Sequence, residues 1–316
     1  MIVEVGYAAY AYCMRSGHAA VAATVALVWG VNFVVINIGL KHYPPLLFAA
    51  LRFAFVAIPA IFFVRKPRIG WVLIFLVGLF LGVGNFGLLF LGMHLGMPAG
   101  LSSLILQSQA VFTLVFGSVF LRERPRGAEV TGTVVATAGV AIIGIGTGDT
   151  VPFMALLLVL GGAASWAAAN VCIRYAKATS SLDLLIWSSI VPPIPLVALS
   201  VVVESPATVV HALTTMEFAP IAALAYLVVL ATLFGFGAWN SLLLRYPASV
   251  VAPYSLLVPV FGLLAAYVVL GERPSAASLL GAAVIFAGVF LVTWSGKHRG
   301  IRQKCLTVEG REIGTS

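Results

Sequence analysis

Few side chains in this chain can do chemistry, and most of them are neutral. The stretch 98–121 is the richest, with Ser102, Ser103, Gln107, Ser108, Gln109 and Thr113. Ser103 and Gln107 lie four residues apart, one above the other on a single helical face. A second group, Asn85, Phe86, Phe90 and His94, falls at the end of another apolar run. A third comprises Phe234, Phe236, Trp239 and Asn240, with Gly235 and Gly237 permitting close approach, and Tyr254 and Ser255 follow. Amides, hydroxyls and aromatic rings bind by hydrogen bonding and stacking, and each aromatic pair contributes about 0.5–1.5 kcal/mol beyond its buried area. The chemistry indicated is recognition of a flat amphiphile. Rings facing lipid, and Ser or Gln bridging neighbouring helices, would account for the same residues.

The charged residues narrow the reading further. Glu123, Asp149, Asp183, Glu204, Glu217 and Glu272 all fall at the ends of apolar runs. A proton-for-cation exchanger needs a buried carboxylate whose pKa burial can raise, and no carboxylate is placed for that, which leaves His94 as the titrating group nearest a run. Arg52 is the one basic residue well inside a run; a substrate carboxylate or a helix C-terminus would neutralise it, and a structural role is expected. No His-Glu-x-x-His, Gly-x-Ser-x-Gly or paired intramembrane aspartate occurs, which argues against an enzyme. Cys13, Cys172 and Cys305 are too far apart for a disulfide framework or metal-ligand spacing. Neither cofactor nor metal is expected.

These residues sit in elements of one kind. Of 316 residues, 61% are apolar and 9% charged, too few charges to clothe a soluble domain of this size. The apolar residues form blocks of about twenty, enough to cross a hydrocarbon core as helices. Lipid cannot satisfy open backbone groups, so helices are the structure predicted. Ten spans are expected, at 19–40, 45–64, 70–93, 98–121, 127–147, 153–176, 182–203, 218–244, 247–270 and 274–296. Pro59, Pro192, Pro193, Pro195, Pro253 and Pro259 should bend or open the helices that contain them. Gly78, Gly82, Gly84 and Gly87 read as packing positions. Residues 1–18 form a leader unlike a signal peptide, and 297–316 a basic tail.

The formal charge of +8 does not indicate nucleic acid, because Lys and Arg sit at span ends and in the tail rather than on one face. With the N-terminus inside, fifteen Lys and Arg flank the inner ends, against Lys41 and Arg273 outside. By the positive-inside rule both termini face the cytoplasm.

An internal repeat is the most specific signal. Pro98-Ala99 to Glu123-Arg124-Pro125 matches Pro247-Ala248 to Glu272-Arg273-Pro274 at an offset of 149, as do Gly132 with Gly281 and Gly139 with Gly288. Trp29 and Asn32 recur loosely as Trp166 and Asn170. Five spans per repeat must invert the second copy, so the halves 19–147 and 153–296 should run in opposite directions. Inverted halves can exchange conformations and open a midplane site to each side in turn. A channel, which needs a persistent pore, fits that symmetry less well.

Trp29-Gly30-Val31-Asn32-Phe33, Leu51-Arg52-Phe53 and the paired Glu-Arg-Pro turns resemble the drug/metabolite transporter superfamily, in its ten-helix EamA-type branch, over about 19–296. The resemblance implies a metabolite exporter of the bacterial inner membrane, with a cavity formed largely by spans 1, 3, 4, 6, 8 and 9. It looks closest to exporters of aromatic amino acids. Trp29, Asn32, Trp166 and Asn170 join Asn85, Phe86, Phe90, His94, Ser103, Gln107, Trp239, Asn240 and Tyr254 as candidate substrate-binding residues. The expected partners are a small aromatic substrate and the bilayer, for a carrier that a monomer can form. A proton-coupled exporter of cationic drugs is the closest alternative. Ala167 replaces Gly30 in the second copy and Asn170 is shifted by one, so the halves are not equivalent.

Overall fold

The computed structural model describes residues 14–125, 127–146, 151–176, 181–215, 217–246 and 248–291. Most of the expected leader and all of the tail lie outside them. Helices account for all the regular structure of the described residues. The helices are α1 (Ser16–Leu40), α2 (Pro45–Ala60), α3 (Trp71–His94), α4 (Ala99–Phe120), α5 (Gly127–Gly146) and α6 (Phe153–Ala176). They continue as α7 (Ser181–Ser188), α8 (Pro193–Val203), α9 (Pro206–Thr214), α10 (Phe218–Arg245), α11 (248–270) and α12 (Ala276–Leu291).

Seven of the described helices are long and apolar enough to cross a membrane, namely α1, α3, α4, α5, α6, α10 and the Pro253–Leu270 part of α11. Helices α7 and α8 make one bent pair at 43°, broken at Pro192-Pro193 as proline's missing donor dictates. Helices α2 and α12 are apolar but shorter; α2 stops one residue past Pro59. Phe62, Phe63, Val134, Ile145, Val202 and Phe218 stand exposed around the bundle. An apolar surface this extensive belongs in lipid. Trp71 meets Trp187 edge to face and lies beneath Lys66, an interfacial anchor of the kind that marks a membrane boundary.

Four helices are not regular. Leu79–Gly87 in α3, Tyr226–Phe234 in α10 and Ala266–Leu270 at the end of α11 are π-helical. Short 3-10 stretches, Leu106–Ser108 and Ala252–Leu256, interrupt α4 and α11. Helices α3 and α10 are the third members of the two repeats, and α4 and α11 the fourth. The distortions therefore recur with the repeat. The 3-10 stretch of α11 contains Pro253, one of the prolines expected to open a helix, whereas the apolar sequence does not announce the π-helical stretches.

The repeat-equivalent helices α5 and α12 pack on each other through glycine. A Cβ at Gly139 would lie 2.7 Å from the Ile285 nitrogen and 2.8 Å from the Gly281 oxygen, and one at Gly288 would meet Gly132 and Ala136 backbone. As numbers rise along α5 from Gly132 to Ile143, the partners fall along α12 from Gly288 to Gly281. The two helices run antiparallel, and exchanging Gly132 with Gly281 and Gly139 with Gly288 maps the contact onto itself.

The first helix of each half inserts against the other half. Gly30 of α1 lets the helix approach the Phe261-Gly262 backbone of α11, where a Cβ would come within 2.8 Å of the Val258 oxygen. Helix α6 packs against α3, where a Cβ at Gly162 would sit 3.0 Å from the Asn85 carbonyl oxygen. Gly78, Gly82 and Gly84 face Val191, Pro192 and Ser165, the packing role expected of them.

Candidate functional site

The seam between halves gathers the polar groups. The π-helical stretches of α3 and α10 free backbone carbonyls from the regular ladder, and in each a side chain from the other half's first helix takes one up. Trp29 Nε1 in α1 donates to the Ala231 carbonyl oxygen in α10 at 2.9 Å, and Ser165 Oγ in α6 donates to the Phe80 oxygen in α3 at 2.8 Å. Tyr226 adds the converse bond, its hydroxyl donating to the Val28 oxygen at 2.8 Å. Ser165 carries no local sequence signal, because its role depends on a carbonyl 85 residues away.

Trp29 also anchors an aromatic cluster. Its ring centroid is 5.1 Å from Phe236 and 5.2 Å from Trp239, both tilted. Trp239 packs with Tyr254, Tyr246 and Val21 around buried Leu242 and Val251. Asn240 is half-buried beside Trp239. Beyond this cluster, a polar ladder follows α4. Gln107 Nε2 reaches the Ser255 carbonyl oxygen of α11 at 3.4 Å; Asn170 Nδ2 of α6 donates to Gln109 Oε1 at 3.0 Å and Thr113 Oγ1 at 3.3 Å. Trp166 lies one turn before Asn170, half-buried against the core. These groups are half-buried, so they can change partners.

Other candidates are placed differently. Phe90 is fully enclosed between Phe48 and Phe86. Ser103 is fully buried, with its hydroxyl donating to the Gly100 oxygen at 2.6 Å and abutting Gly262. His94 is exposed at the end of α3. Asn32 and Asn85 are buried, and the Asn32 Oδ1 and both polar atoms of the Asn85 side chain lack a hydrogen-bond partner, a cost of about 1–3 kcal/mol for each group so left. Buried polar groups of this kind are ordinarily satisfied by ordered water or a ligand.

Arg52 is also buried, and its Nη1 lacks a partner. Its Nη2 donates to Thr232 Oγ1 of α10 at 3.1 Å, and its guanidinium covers the Phe86 ring at 4.1 Å from the centroid. The partner is a side-chain hydroxyl in the other half rather than a helix C-terminus. Thr232 is the lone aliphatic hydroxyl in Tyr226–Phe234, a signal that the sequence alone does not single out.

The two ends of the seam differ. At the Pro98 end, Glu272 accepts from the N–H groups of Ala99 at 2.8 Å and Gly100 at 3.0 Å, and Glu204 accepts from Leu46 at 2.6 Å and Leu47 at 3.4 Å while Ser200 donates to it. Both carboxylates occupy helix N-termini, where free amides and the helix dipole favour them. Residues 99–106 are all buried there, whereas Pro253 at the opposite end is exposed and Tyr254 and Ser255 half-exposed. At that opposite end Glu123 pairs with Arg174 at 3.0 Å, with both side chains about two-fifths exposed (42% and 41%). A cavity of about 310 Å³ lies beside the Glu272 turn, lined by Pro98, Leu101, Leu263 and Ser278, away from the aromatic cluster.

A helical bundle with an apolar outer surface, built from two copies of one unit that exchange their first helices, defines a membrane protein of duplicated architecture. Residues 7–145 and 153–294 each match the EamA-like transporter family, and the chain belongs to that family. It is 40% identical over 273 residues to a "Probable amino-acid metabolite efflux pump" of Escherichia coli (strain K12), covering 84% of this chain and 91% of that one. It is 28% identical over 277 residues to a "Probable terminal-alkyne amino-acid exporter" of Streptantibioticus cattleyicolor, covering 84% and 89%. A solved crystal structure shares the fold with a TM-score of 0.60 at 20% identity, over 89% of this chain and 99% of that one.

Proposed function

We propose that the protein exports small metabolites from the bacterial cytoplasm across the inner membrane, with aromatic amino acids and related flat compounds as substrates. Ten spans are arranged as inverted halves, 19–147 and 153–296, with both termini cytoplasmic. In this reading α2, the bent α7–α8 pair and α12 each complete a crossing. A monomer suffices, because both halves of the site come from one chain.

The observation that carries this reading is the antiparallel glycine contact between α5 and α12. Two copies of one unit running in opposite directions can rock about a shared site and expose it alternately. The unequal ends of the seam fit one state of such a cycle, sealed at the Pro98 end. With the Lys and Arg distribution putting that end outside, the state faces the cytoplasm. The amino-acid exporters among the relatives support the substrate class, and the Trp29–Phe236–Trp239 cluster supports an aromatic preference through stacking. The buried polar side chains of the described residues are amides, hydroxyls and Arg52, a set suited to a neutral or zwitterionic substrate rather than to an organic cation. The transporters among the relatives favour a carrier over an enzyme.

Purified protein in liposomes should take up labelled phenylalanine or tryptophan with saturation. Gln107→Ala and Trp239→Ala should each reduce it. Unchanged uptake in both variants would remove these residues from the site, and single-channel current steps would favour a pore.

A further inference from the structure

We infer that Arg52 is the anchor for the carboxylate of the transported amino acid, an inference that rests on the amino-acid export reading above. Arg52 stands at the middle of α2, about 10 Å from either end at 1.5 Å per residue, and is 3% exposed. A guanidinium stays charged and offers five N–H donors. Burying it is costly unless the charge is paired and its donors are used. Here one hydrogen bond is made, from Nη2 to Thr232, and Nη1 is buried without a partner. Ion pairs form at His42–Glu217 and Arg174–Glu123, and among the described residues no carboxylate pairs with Arg52.

A purely structural arginine would be expected to use its donors. This one is held in place but left short of an anion. Phe86 occupies one face of the guanidinium, which directs a ligand to the edge, where a carboxylate can meet two N–H groups side by side. Thr232 already donates its proton to the Leu227 oxygen at 2.7 Å, so it can only accept from Arg52. A neutral hydroxyl is a weaker acceptor than a carboxylate and can be displaced by one.

Location completes the case. Phe86 belongs to the π-helical stretch of the first half and Thr232 to that of the second. The guanidinium therefore bridges the two distorted helices across the seam that alternation must open. Opening would part Arg52 from Thr232 and turn its free edge toward the entering substrate. The ligand class is an α-amino acid whose single carboxylate balances the single buried cation, with the neutral amides of the seam left to bind the rest.

The test compares an acid with its amide. In proteoliposomes carrying labelled phenylalanine, unlabelled phenylalanine and 3-phenylpropionate should both compete, and phenylalaninamide should be weaker by about tenfold or more, the scale of a lost charge-assisted hydrogen bond. Arg52→Gln should raise the half-saturating phenylalanine concentration by a similar factor and erase the preference for the acid, with Arg52→Lys intermediate. Equal competition by acid and amide in the unaltered protein would overturn the inference while leaving export intact, and it needs no variant to fold. Persistence of the preference in Arg52→Gln would also overturn it. No uptake of any amino acid would overturn the export reading and this inference together.

Discussion

The carboxylate of Glu272 caps the helix that begins at Ala99, accepting its N–H at 2.8 Å from the opposite half of the molecule. Its repeat equivalent, Glu123, instead makes a half-exposed ion pair with Arg174. One sequence motif, Glu-Arg-Pro, thus does different work in its two copies. The difference is the conformational asymmetry of the bundle seen at a single residue: part-buried and satisfied by backbone at one end, solvent-facing at the other.

Removing the two glutamates should therefore have unequal effects. Glu272→Ala leaves two helix-terminal amides without a partner and should destabilise the protein by about 1–2 kcal/mol. Glu123→Ala should cost well under about 1 kcal/mol, since exposed ion pairs are screened. Thermal unfolding in detergent compares them, and equal losses would contradict the asymmetric seam.

The α5–α12 crossing should tolerate no side chain. Gly139→Leu or Gly288→Leu would drive atoms into facing backbone and should yield misassembled, polydisperse protein. Gly127→Leu, which faces open space, should behave as the unaltered chain does in size-exclusion chromatography.

Trp29→Phe keeps a ring beside Phe236 and Trp239 but strips the donor from the Ala231 carbonyl. A loss of about 0.5–1.5 kcal/mol in stability is expected from that bond alone. Trp29→Ala should in addition raise the half-saturating concentration for tryptophan. Transport that is indifferent to both changes would remove Trp29 from the substrate path.

Much of this architecture can be read in the chain because lipid imposes long apolar runs and proline and charge punctuate them. Pro192-Pro193 marks the α7–α8 bend, and the Glu-Arg-Pro turns reveal the duplication. What escapes is non-local. The π-helical stretches arise where Trp29 and Ser165 can satisfy freed carbonyls, a condition set by tertiary packing. Phe90 and Ser103 have the residue types of a lining yet lie enclosed, because helical periodicity places them on a face without saying which helix covers it. Arg52 stands out in sequence as an intramembrane charge, but its unused donor is visible only once Thr232 and Phe86 are in place.

The most direct test places single cysteines at Arg124→Cys and Arg273→Cys, with Cys13, Cys172 and Cys305 replaced by serine. A membrane-impermeant maleimide applied to intact cells should label Arg273→Cys and should reach Arg124→Cys only after permeabilisation. Labelling of both from one side of the membrane would contradict the inverted halves and the carrier built on them.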